Sequence, residues 1–465
     1  MINRILIGTT LMVLSACAGP GEIVSERDIS KLQHSAKGVW ASDGYGYIID
    51  LNDGQTVYNI SGQNCAAIMA DQENPMDYFD RFRLNIKKTQ LQLFSEFERY
   101  PISFSKMKTL PELCMQAPST APLDIYDNFV DIYAQHYGFF DVHGVNWEDA
   151  TQEMRSGLNN ESGEMYLVER FIGMLSQLRD GHVSIAAVVD GDEGEFIAYP
   201  GKTNIAIQES KSGDKNPKAA FGEQYLRNDI ERDILGGHGF NAVNERIKYG
   251  ITSGDIGYMA VMSEGGYAEG ENPSFDQEIG ALKPVMAQVI RTFKAANVKA
   301  VIIDLSVNYG GYDFLGREIA GSFTDTPVLG YSKYASDAED KTPYKIQIKP
   351  AEGPRFTGPV YVMTSDMTVS AGEVTTLSLR ALPNVTHVGM PTRGAFSDVL
   401  TKYLPNGWTV TLSNEVYTDS EGIIWEGKGI EPQVTIEVFD VENPLAGHLP
   451  AVNKLIDIID DQHSN

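Results

Sequence analysis

The chain of 465 residues has few cysteines and a shortage of basic residues. Its 37 lysines and arginines are outnumbered by 63 aspartates and glutamates, which gives a net charge of −26. Such a surface repels nucleic acid, so nucleic acid is not predicted as a partner. No cluster of cysteine and histidine and no His-Glu-x-x-His pattern occurs, and the sequence therefore predicts no metal ion and no other cofactor. The length and the 42% hydrophobic content suit two or three globular domains.

The amino terminus has the three-part form of an export signal. A short basic lead ends at Arg4, an apolar run covers residues 5–13, and small residues follow up to Cys17. The ending at residues 14–17 resembles the lipobox of bacterial lipoproteins, which implies cleavage after residue 16 and a lipid on the Cys17 sulfur; an ordinary signal peptide is the alternative. We therefore expect an exported protein on a lipid anchor, at the outer membrane facing the periplasm or at the cell surface. Residues 17–30 would form its tether.

The other two cysteines, Cys65 and Cys114, are candidates for a disulfide because an oxidising envelope favours pairing. Two unpaired buried thiols are the alternative. Both cysteines fall within residues 31–118, where short alternating strands separated by turns predict a small β domain. This domain contains no recognisable chemistry, so we expect an accessory role for it.

The rest of the chain reads as an α/β protein. Residues 119–200 have helical apolar spacing and end in a strand that carries His182. Residues 201–250 are rich in glycine and charge and are predicted to be an insertion of loops. Strands and helices alternate in residues 251–440, which predicts parallel pairing in a catalytic core, and residues 441–465 are predicted to be a C-terminal helix and tail.

Ser370 lies where a predicted strand gives way to a predicted helix. Residues 360–365 are short, apolar and β-branched, as in a buried parallel strand, and residues 374–382 repeat apolar side chains at helical spacing. The helix start would expose the Ser370 hydroxyl and direct free backbone N–H groups towards whatever that hydroxyl attacks. The alternative role of Ser370 is a plain helix N-cap, for which serine is well suited.

A serine hydroxyl becomes a nucleophile only with a base and with donors for the oxyanion. Of the eight histidines, His182 is the best candidate base because it follows a glycine turn at the entrance to a strand; a structural histidine is the alternative. A buried strand also runs into Gly310 and Gly311, a pair that permits positive φ and close backbone approach, although such pairs also occur in plain turns. We expect the N–H groups of Gly311 and Ala371 to bind the oxyanion.

Three segments resemble, in this order, the serine peptidases that include the C-terminal processing proteases and the tricorn core protease. Residues 178–183 are similar to the family's Leu-x-Asp-Gly-His, residues 303–311 to its Asp-Leu-Arg-x-Asn-x-Gly-Gly, and residues 368–373 to its Thr-x-Ser-Ala-x-Glu around the nucleophile. Later landmarks of the family follow in register at residues 389–394, 404–407 and 426–432. The resemblance covers about residues 123–434. It implies an α/β core of the ββα-spiral, crotonase-like type.

The resemblance also implies which catalytic style is used. Processing proteases pair the serine with a lysine directly after Thr-x-Gly, but that position here is Ala395, and Lys402 is not expected to replace the missing amine. The tricorn-like style instead pairs the serine with a histidine, here Ser370 and His182. The short distance in sequence from His182 to the next core strand leaves no room for a PDZ module, which also favours the tricorn-like branch.

In the tricorn-like style a serine and a glutamate orient the histidine. Glu426 matches the glutamate, but Gly181 stands where the relay serine would precede the histidine. The resemblance therefore implies that Glu426 reaches His182 directly, through water or through Ser184. Two further matched residues, Asn308 and Glu373, together with Gly310, would support the site.

These observations predict a serine peptidase that hydrolyses envelope or extracellular peptides and proteins through an acyl-enzyme. A peptide substrate and, through Cys17, a lipid membrane are its predicted partners, and no particular oligomeric state is predicted. One alternative is a non-catalytic member that binds apolar ligands, as retinoid-carrying proteins of the eye do on the same fold. An esterase of the α/β-hydrolase type is disfavoured because Gly-x-Ser-x-Gly lacks its first glycine. A scaffold lipoprotein that works through its β domain is the third alternative.

Overall fold

The structure, a computed structural model, describes most of the chain. The described residues are 26–70, 72–95, 97, 101–210, 216–440 and 442–463. The predicted signal peptide and the lipidation site at Cys17 lie outside them. The predicted tether lies outside only in part, because β1 (Arg27–Asp28) and a 3₁₀ turn (Ile29–Lys31) already belong to the folded domain, so the tether is shorter than expected. Among the described residues, no helix has the length and apolarity needed to cross a membrane.

The N-terminal part forms the expected β domain, an antiparallel sheet in the order β1-β6-β7-β8-β2-β3-β4-β5. The strands are β2 (Val39–Ser42), β3 (Tyr47–Asp50), β4 (Thr56–Ser61), β5 (Asn64–Ala67), β6 (Arg81–Leu84), β7 (Gln90–Phe94) and β8 (Ile102–Met107), with the short helix α1 (Leu32–Ser35) before them and 3₁₀ turns at Pro75–Tyr78 and Glu112–Met115. Alternate side chains such as Trp40, Phe82 and Leu93 are fully buried, because the sheet packs one face on a core. Cys65 in β5 and Cys114 in the last turn form a disulfide, with Cα atoms 4.7 Å apart.

A helical layer follows the β domain. Its helices are α2 (Pro122–His136), α3 (Phe140–His143), α4 (Trp147–Arg155) and α5 (Glu164–Leu178). Aromatic side chains at helical spacing hold the layer together, and the rings of Phe129 and Phe171 stack with centroids 4.0 Å apart. Arg179 adopts φ 50° and ends α5, after which a turn containing His182 leads into β9 (Ser184–Val189) and its hairpin partner β10 (Asp192–Ile197).

The prediction of an insertion of loops at residues 201–250 is wrong. This segment contains α6 (Lys202–Glu209), α7 (Pro217–Gly222), a π-helix (Glu223–Ile234), β11 (Phe240–Ala242) and β12 (Ile247–Ile251). The apolar side chains of Ile207, Phe221, Tyr225 and Ile230 pack into a core shared with the central sheet. The helical spacing of these residues was therefore a valid signal, but the many charged residues between them obscured it.

The central sheet has the order β11-β12-β13-β14-β18-β20-β24 and is parallel from β13 onward. Its strands beyond β12 are β13 (Ile256–Val261), β14 (Ala300–Asp304), β18 (Val360–Thr364), β20 (Val385–Gly389) and β24 (Val434–Thr435). Helices α8 (Phe275–Ala295), α9 (Asp313–Gly321), α10 (Ala371–Arg380) and α11 (His448–His463) accompany this sheet. Strands β13, β14 and β18 are buried on both faces, which explains their continuous apolar sequence. The predicted α/β core is thus present.

Three smaller sheets surround the central one. They contain β15 (Val307–Asn308) with β19 (Met367–Thr368), β17 (Tyr344–Ile348) with β16 (Val328–Ala335) and β23 (Glu415–Asp419), and β9 and β10 with β22 (Thr409–Ser413) and β21 (Val399–Tyr403). Because β9 pairs with β22, the turn that carries His182 is attached to the C-terminal half of the chain.

The β domain is docked on the core through buried polar contacts. Lys402 in β21 donates from Nζ to the carbonyl of Tyr45 (2.5 Å) and to the side chain of Asn59 (2.9 Å). The Tyr45 hydroxyl in turn donates to Glu415 at 2.7 Å. Burial lowers the pKa of Lys402 to about 7. These contacts fix the β domain against β21 and β23.

The C-terminal helix is anchored by a buried ion pair. His448 Nε2 lies 2.7 Å from Asp304 Oδ2, and its Nδ1 lies 3.4 Å from Asp229. All three side chains are buried. Burial alone would lower the pKa of His448, but the carboxylates of Asp304 and Asp229 outweigh it and raise the pKa to about 9. The imidazolium therefore holds α11 against the end of β14, just before the Gly-Gly loop.

We expect this ion pair to make the free energy of unfolding depend on pH. The folded pKa of about 9 exceeds the ordinary histidine value of about 6.5, so the contribution is fully present below about pH 6.5 and is lost as the pH rises through 9. The difference corresponds to roughly 3 kcal/mol. Urea unfolding of the wild type and of His448→Gln between pH 6 and 10 measures it. The variant should lose most of this slope, and the exposed control His34→Gln should keep it. An unchanged slope in His448→Gln would contradict the ion pair.

Candidate active site

Ser370 occupies an unusual backbone conformation between β19 and α10. Its φ is 59° and its ψ is −129°, in a region that residues with a Cβ rarely adopt. An ordinary N-cap has extended backbone angles instead. The Ser370 N–H donates to the carbonyl of Ala395 at 3.0 Å. The conformation is thus held from outside the helix, and the serine stands at the positive end of α10.

The Gly-Gly loop lies directly against Ser370. The pairing of β15 with β19 brings the two segments together, and a Cβ on Gly310 would be 2.6 Å from the Ser370 Cβ. Gly311 has φ 143°, and a Cβ there would be 2.1 Å from the carbonyl oxygen of Glu264. Both positions therefore require glycine. Within the described part of the chain, the N–H groups of Gly311 and Ala371 donate no hydrogen bond, so both remain available to an incoming oxygen.

Asn308 shapes this loop from inside. Its Oδ1 accepts the Gly310 N–H at 2.9 Å, and its Nδ2 donates to the Val261 carbonyl and to Glu264 Oε1, both at 2.9 Å. Burial raises the pKa of Glu264 to about 7. The sequence analysis did not identify Glu264. The Gly265-Gly266 pair that follows it is a signal that could have identified this segment as one where two stretches of backbone come close together.

Two buried carboxylates hold residues 394–397. Glu373 accepts the N–H groups of Gly394 (2.6 Å) and Ala395 (2.8 Å), and it also accepts the Ser370 N–H at 3.3 Å. Glu426 accepts the N–H groups of Phe396 (3.1 Å) and Ser397 (3.2 Å). Burial raises the pKa of Glu373 to about 7 and that of Glu426 well above its usual range. Glu426 thus binds the backbone of this segment, whereas the sequence reading had it orient His182.

His182 lies in a rigid turn. Its N–H donates to Asp180 Oδ1 at 2.8 Å, and its carbonyl accepts from Thr411 Oγ1 at 2.7 Å. Ser184 contacts Thr411 at 2.8 Å, so its hydroxyl is engaged away from the imidazole. His182 Nδ1 is buried and has no hydrogen-bond partner among the described residues. Burial lowers the pKa of His182 and Arg393 adds to this effect, while Asp180 and Asp398 oppose it.

The segment at residues 393–395 connects the histidine turn to the serine. A Cβ on Gly181 would lie 3.2 Å from Arg393 Cδ and 3.3 Å from Ala395 Cβ, so the turn packs against this segment. The carbonyl of the same Ala395 accepts the Ser370 N–H. Small residues at both 181 and 395 make this contact close, and they are the positions that lack the relay serine and the catalytic lysine.

Two buried lysines of the core, Lys402 and Lys333, have ammonium groups that are engaged by oxygen atoms of other residues. The Lys402 ammonium donates hydrogen bonds to the β domain. Lys333 Nζ lies 3.0 Å from Asp398 and 3.1 Å from Glu415. Burial would lower the pKa of Lys333, but these carboxylates and Asp313 raise it, so the amine stays protonated. Neither of these two amines is available as a base.

The comparisons with known proteins agree with this geometry. Residues 266–436 match the sequence model of peptidase family S41. The matched segment contains the Gly310-Gly311 loop, Ser370 and Glu426, and His182 lies before it. It is 28% identical over 155 residues to the carboxy-terminal processing protease CtpA of Bacillus subtilis (strain 168), a match that covers 33% of this chain and 32% of the relative. The chain thus aligns with about a third of the length of that protein. The family resemblance predicted from the sequence motifs is confirmed.

Solved structures show that the likeness of fold extends beyond the matched segment. A peptidase candidate from Parabacteroides merdae ATCC 43184 aligns with 73% of this chain and 97% of its own, with a TM-score of 0.56 and 22% identity. Mature CPAF complexed with lactacystin aligns with 74% of this chain and 100% of its own, with a TM-score of 0.51 and 11% identity. The predicted fold class, an α/β peptidase core preceded by a small β domain, is confirmed.

We expect the backbone strain at Ser370 to be measurable as stability. Ser370→Gly relieves the positive φ, which costs about 1–3 kcal/mol for a residue with a Cβ, whereas Ser370→Ala keeps it. Urea unfolding should therefore rank Ser370→Gly above Ser370→Ala, with the alanine variant close to wild type. If the hydroxyl served mainly as a helix cap, Ser370→Ala would instead lose about 1 kcal/mol and glycine only a few tenths.

Proposed function

We propose that this protein is a serine peptidase that cleaves envelope or extracellular peptides and proteins through an acyl-enzyme on Ser370. The observation that carries the proposal is the strained serine at the start of α10 with two undonated N–H groups beside it. The serine side chain therefore lies beside donors of the kind that a tetrahedral intermediate requires. The S41 match and the structural neighbours support the same reaction class.

The mechanism assigns one role to each group. His182 takes the proton of the Ser370 hydroxyl as the serine oxygen attacks the peptide carbonyl. The N–H groups of Gly311 and Ala371 bind the oxyanion, and His182 then gives its proton to the leaving amine. Water releases the acyl group by the same steps in reverse. Because the imidazole must be neutral to act as a base, the burial that lowers its pKa favours the reaction near neutral pH.

Glu426 and Glu373 act in this proposal as positioning residues. Both carboxylates hold the backbone of residues 394–397, which contacts Gly181 and Ser370. Asp180 holds the His182 turn through the backbone and accepts the Tyr137 hydroxyl at 3.0 Å. The proposal also includes export and a lipid on Cys17, supported by the sequence of residues 1–17, which would place the peptidase at an envelope membrane.

Ser370→Ala should abolish both labelling by a fluorophosphonate probe and hydrolysis of a peptide library. The matched control is Ser378→Ala in the same helix, whose hydroxyl donates to the Val374 carbonyl at 2.9 Å away from the proposed chemistry. Labelling and cleavage are read by mass spectrometry on the full-length proteins. Persistent labelling of Ser370→Ala would place the nucleophile elsewhere.

The rate should report the titration of His182. Because burial lowers its pKa from 6.5, we expect kcat/KM to rise with pH through a midpoint below 6.5 and to level off above it. His182→Gln should lose roughly 10²–10⁴-fold in kcat/KM. The exposed control His238→Gln should keep the rate and the profile. A His182→Gln variant that keeps the wild-type rate would exclude His182 as the base.

A further inference from the structure

A small cleft of about 50 Å³, open to solvent, lies between the β domain and the core. From the β domain it is lined by Tyr45, Tyr47, Ile68, Glu73, Pro75, Tyr78, Phe79 and Ile102. From the core it is lined by residues 398–401 at the start of β21 and by Glu415 in β23. Most of its lining residues are aromatic or aliphatic.

Two residues that line the cleft, Asp398 and Glu415, are connected by ion pairs to the segment that follows the Gly-Gly loop. Asp398 and Glu415 both contact the buried Lys333, whose Nζ also lies 4.0 Å from Asp313. Asp313 is the first residue of α9 and comes two residues after Gly311. The cleft is therefore separated from the proposed oxyanion donor by a single ion-pair cluster.

A second connection runs through residues 395–398. Asp398 lies three residues after Ala395, whose carbonyl accepts the Ser370 N–H. Three residues of extended chain cover at most roughly 11 Å. The Asp398 carboxylate also acts on the pKa of His182, as expected for a charge near the imidazole. The cleft thus lies within a few substrate residues of the proposed nucleophile.

Aromatic rings form a third connection. The ring of Tyr78, on the cleft wall, lies 6.1 Å from that of Phe275, which lies 5.1 Å from the ring of Tyr312. Tyr312 follows Gly311 directly, and its N–H donates to the Glu264 carbonyl at 2.7 Å. The wall contributed by the β domain is therefore connected through Phe275 to the residue next to the oxyanion loop.

We propose that this cleft is a specificity pocket for one aromatic or large aliphatic side chain of the peptide substrate, an inference that rests on the proposed peptidase function. The carboxylates in its lining already have partners: Glu73 accepts from Thr401 at 3.0 Å, Glu415 accepts from Tyr45, and Asp398 contacts Lys333. Most of the residues that remain in the lining are aromatic or aliphatic. An acidic side chain would meet three carboxylates there and is excluded by repulsion.

The test fills the cleft from its solvent side. Val399 in β21 lines the cleft and is 42% exposed, so a larger residue there leaves the core intact. We compare wild type, Val399→Trp and the volume-matched control Val399→Thr in cleavage of a mixed-sequence octapeptide library. Wild type and Val399→Thr should prefer Phe, Tyr or Leu at one position near the cleaved bond. Val399→Trp should lose that preference, with kcat/KM for the Phe peptide at least tenfold lower through KM and the matched Ala peptide unaffected.

A second arm separates the pocket from the chemistry. Fluorescence anisotropy measures binding of the Phe peptide and its Ala and Glu counterparts to Ser370→Ala with and without Val399→Trp. Tighter binding of the Phe peptide that is lost on adding Val399→Trp supports the pocket even if hydrolysis were to persist in Ser370→Ala, a result that would overturn only the proposed nucleophile. Equal binding of the Phe and Ala peptides, a preference for Glu or Lys, or identical profiles of the Trp and Thr variants would overturn the pocket.

Discussion

The candidate active site depends on two buried carboxylates that bind backbone N–H groups. Glu373 and Glu426 together hold residues 394–397, and that segment contacts both the Ser370 backbone and the turn that carries His182. A buried N–H group left without an acceptor costs about 1–3 kcal/mol, so several such bonds fix the segment firmly. The cost is a pair of carboxylates with raised pKa values close to the reacting groups. The serine and the histidine come from distant parts of the chain, and this segment gives them a common support.

Local sequence patterns were enough to predict the parts of the site but not their connections. The strand-to-helix change at Ser370 and the Gly310-Gly311 pair follow from periodicity and from the backbone freedom of glycine, and the structure places these two features in contact. The partners of Glu426 could not be predicted from local sequence. The backbone N–H groups that donate to its carboxylate belong to residues about thirty positions away. Glu264 was missed for the same reason, since its contacts with Asn308 and Thr375 are purely tertiary.

The same limit explains the larger errors in the fold. Residues 201–250 were predicted as loops because charged residues and glycines interrupt the apolar ones that mark the helices. The hydrophobic partners of those helices lie in the central sheet and α11. The burial of charged side chains was equally unpredictable from local sequence. Nothing local to Lys402 or Lys333 distinguishes them from exposed lysines, and each is buried because oxygen atoms from other elements surround its ammonium.

The disulfide between Cys65 and Cys114 has a consequence for how the cleft is built. It joins β5 to the last turn of the β domain, a few residues before α2 begins. The disulfide therefore fixes the point where the chain leaves the β domain. Such a bond persists where thiols are oxidised and is reduced where glutathione prevails. The wall opposite β21 consequently belongs to a domain whose closing bond depends on the redox state of its surroundings.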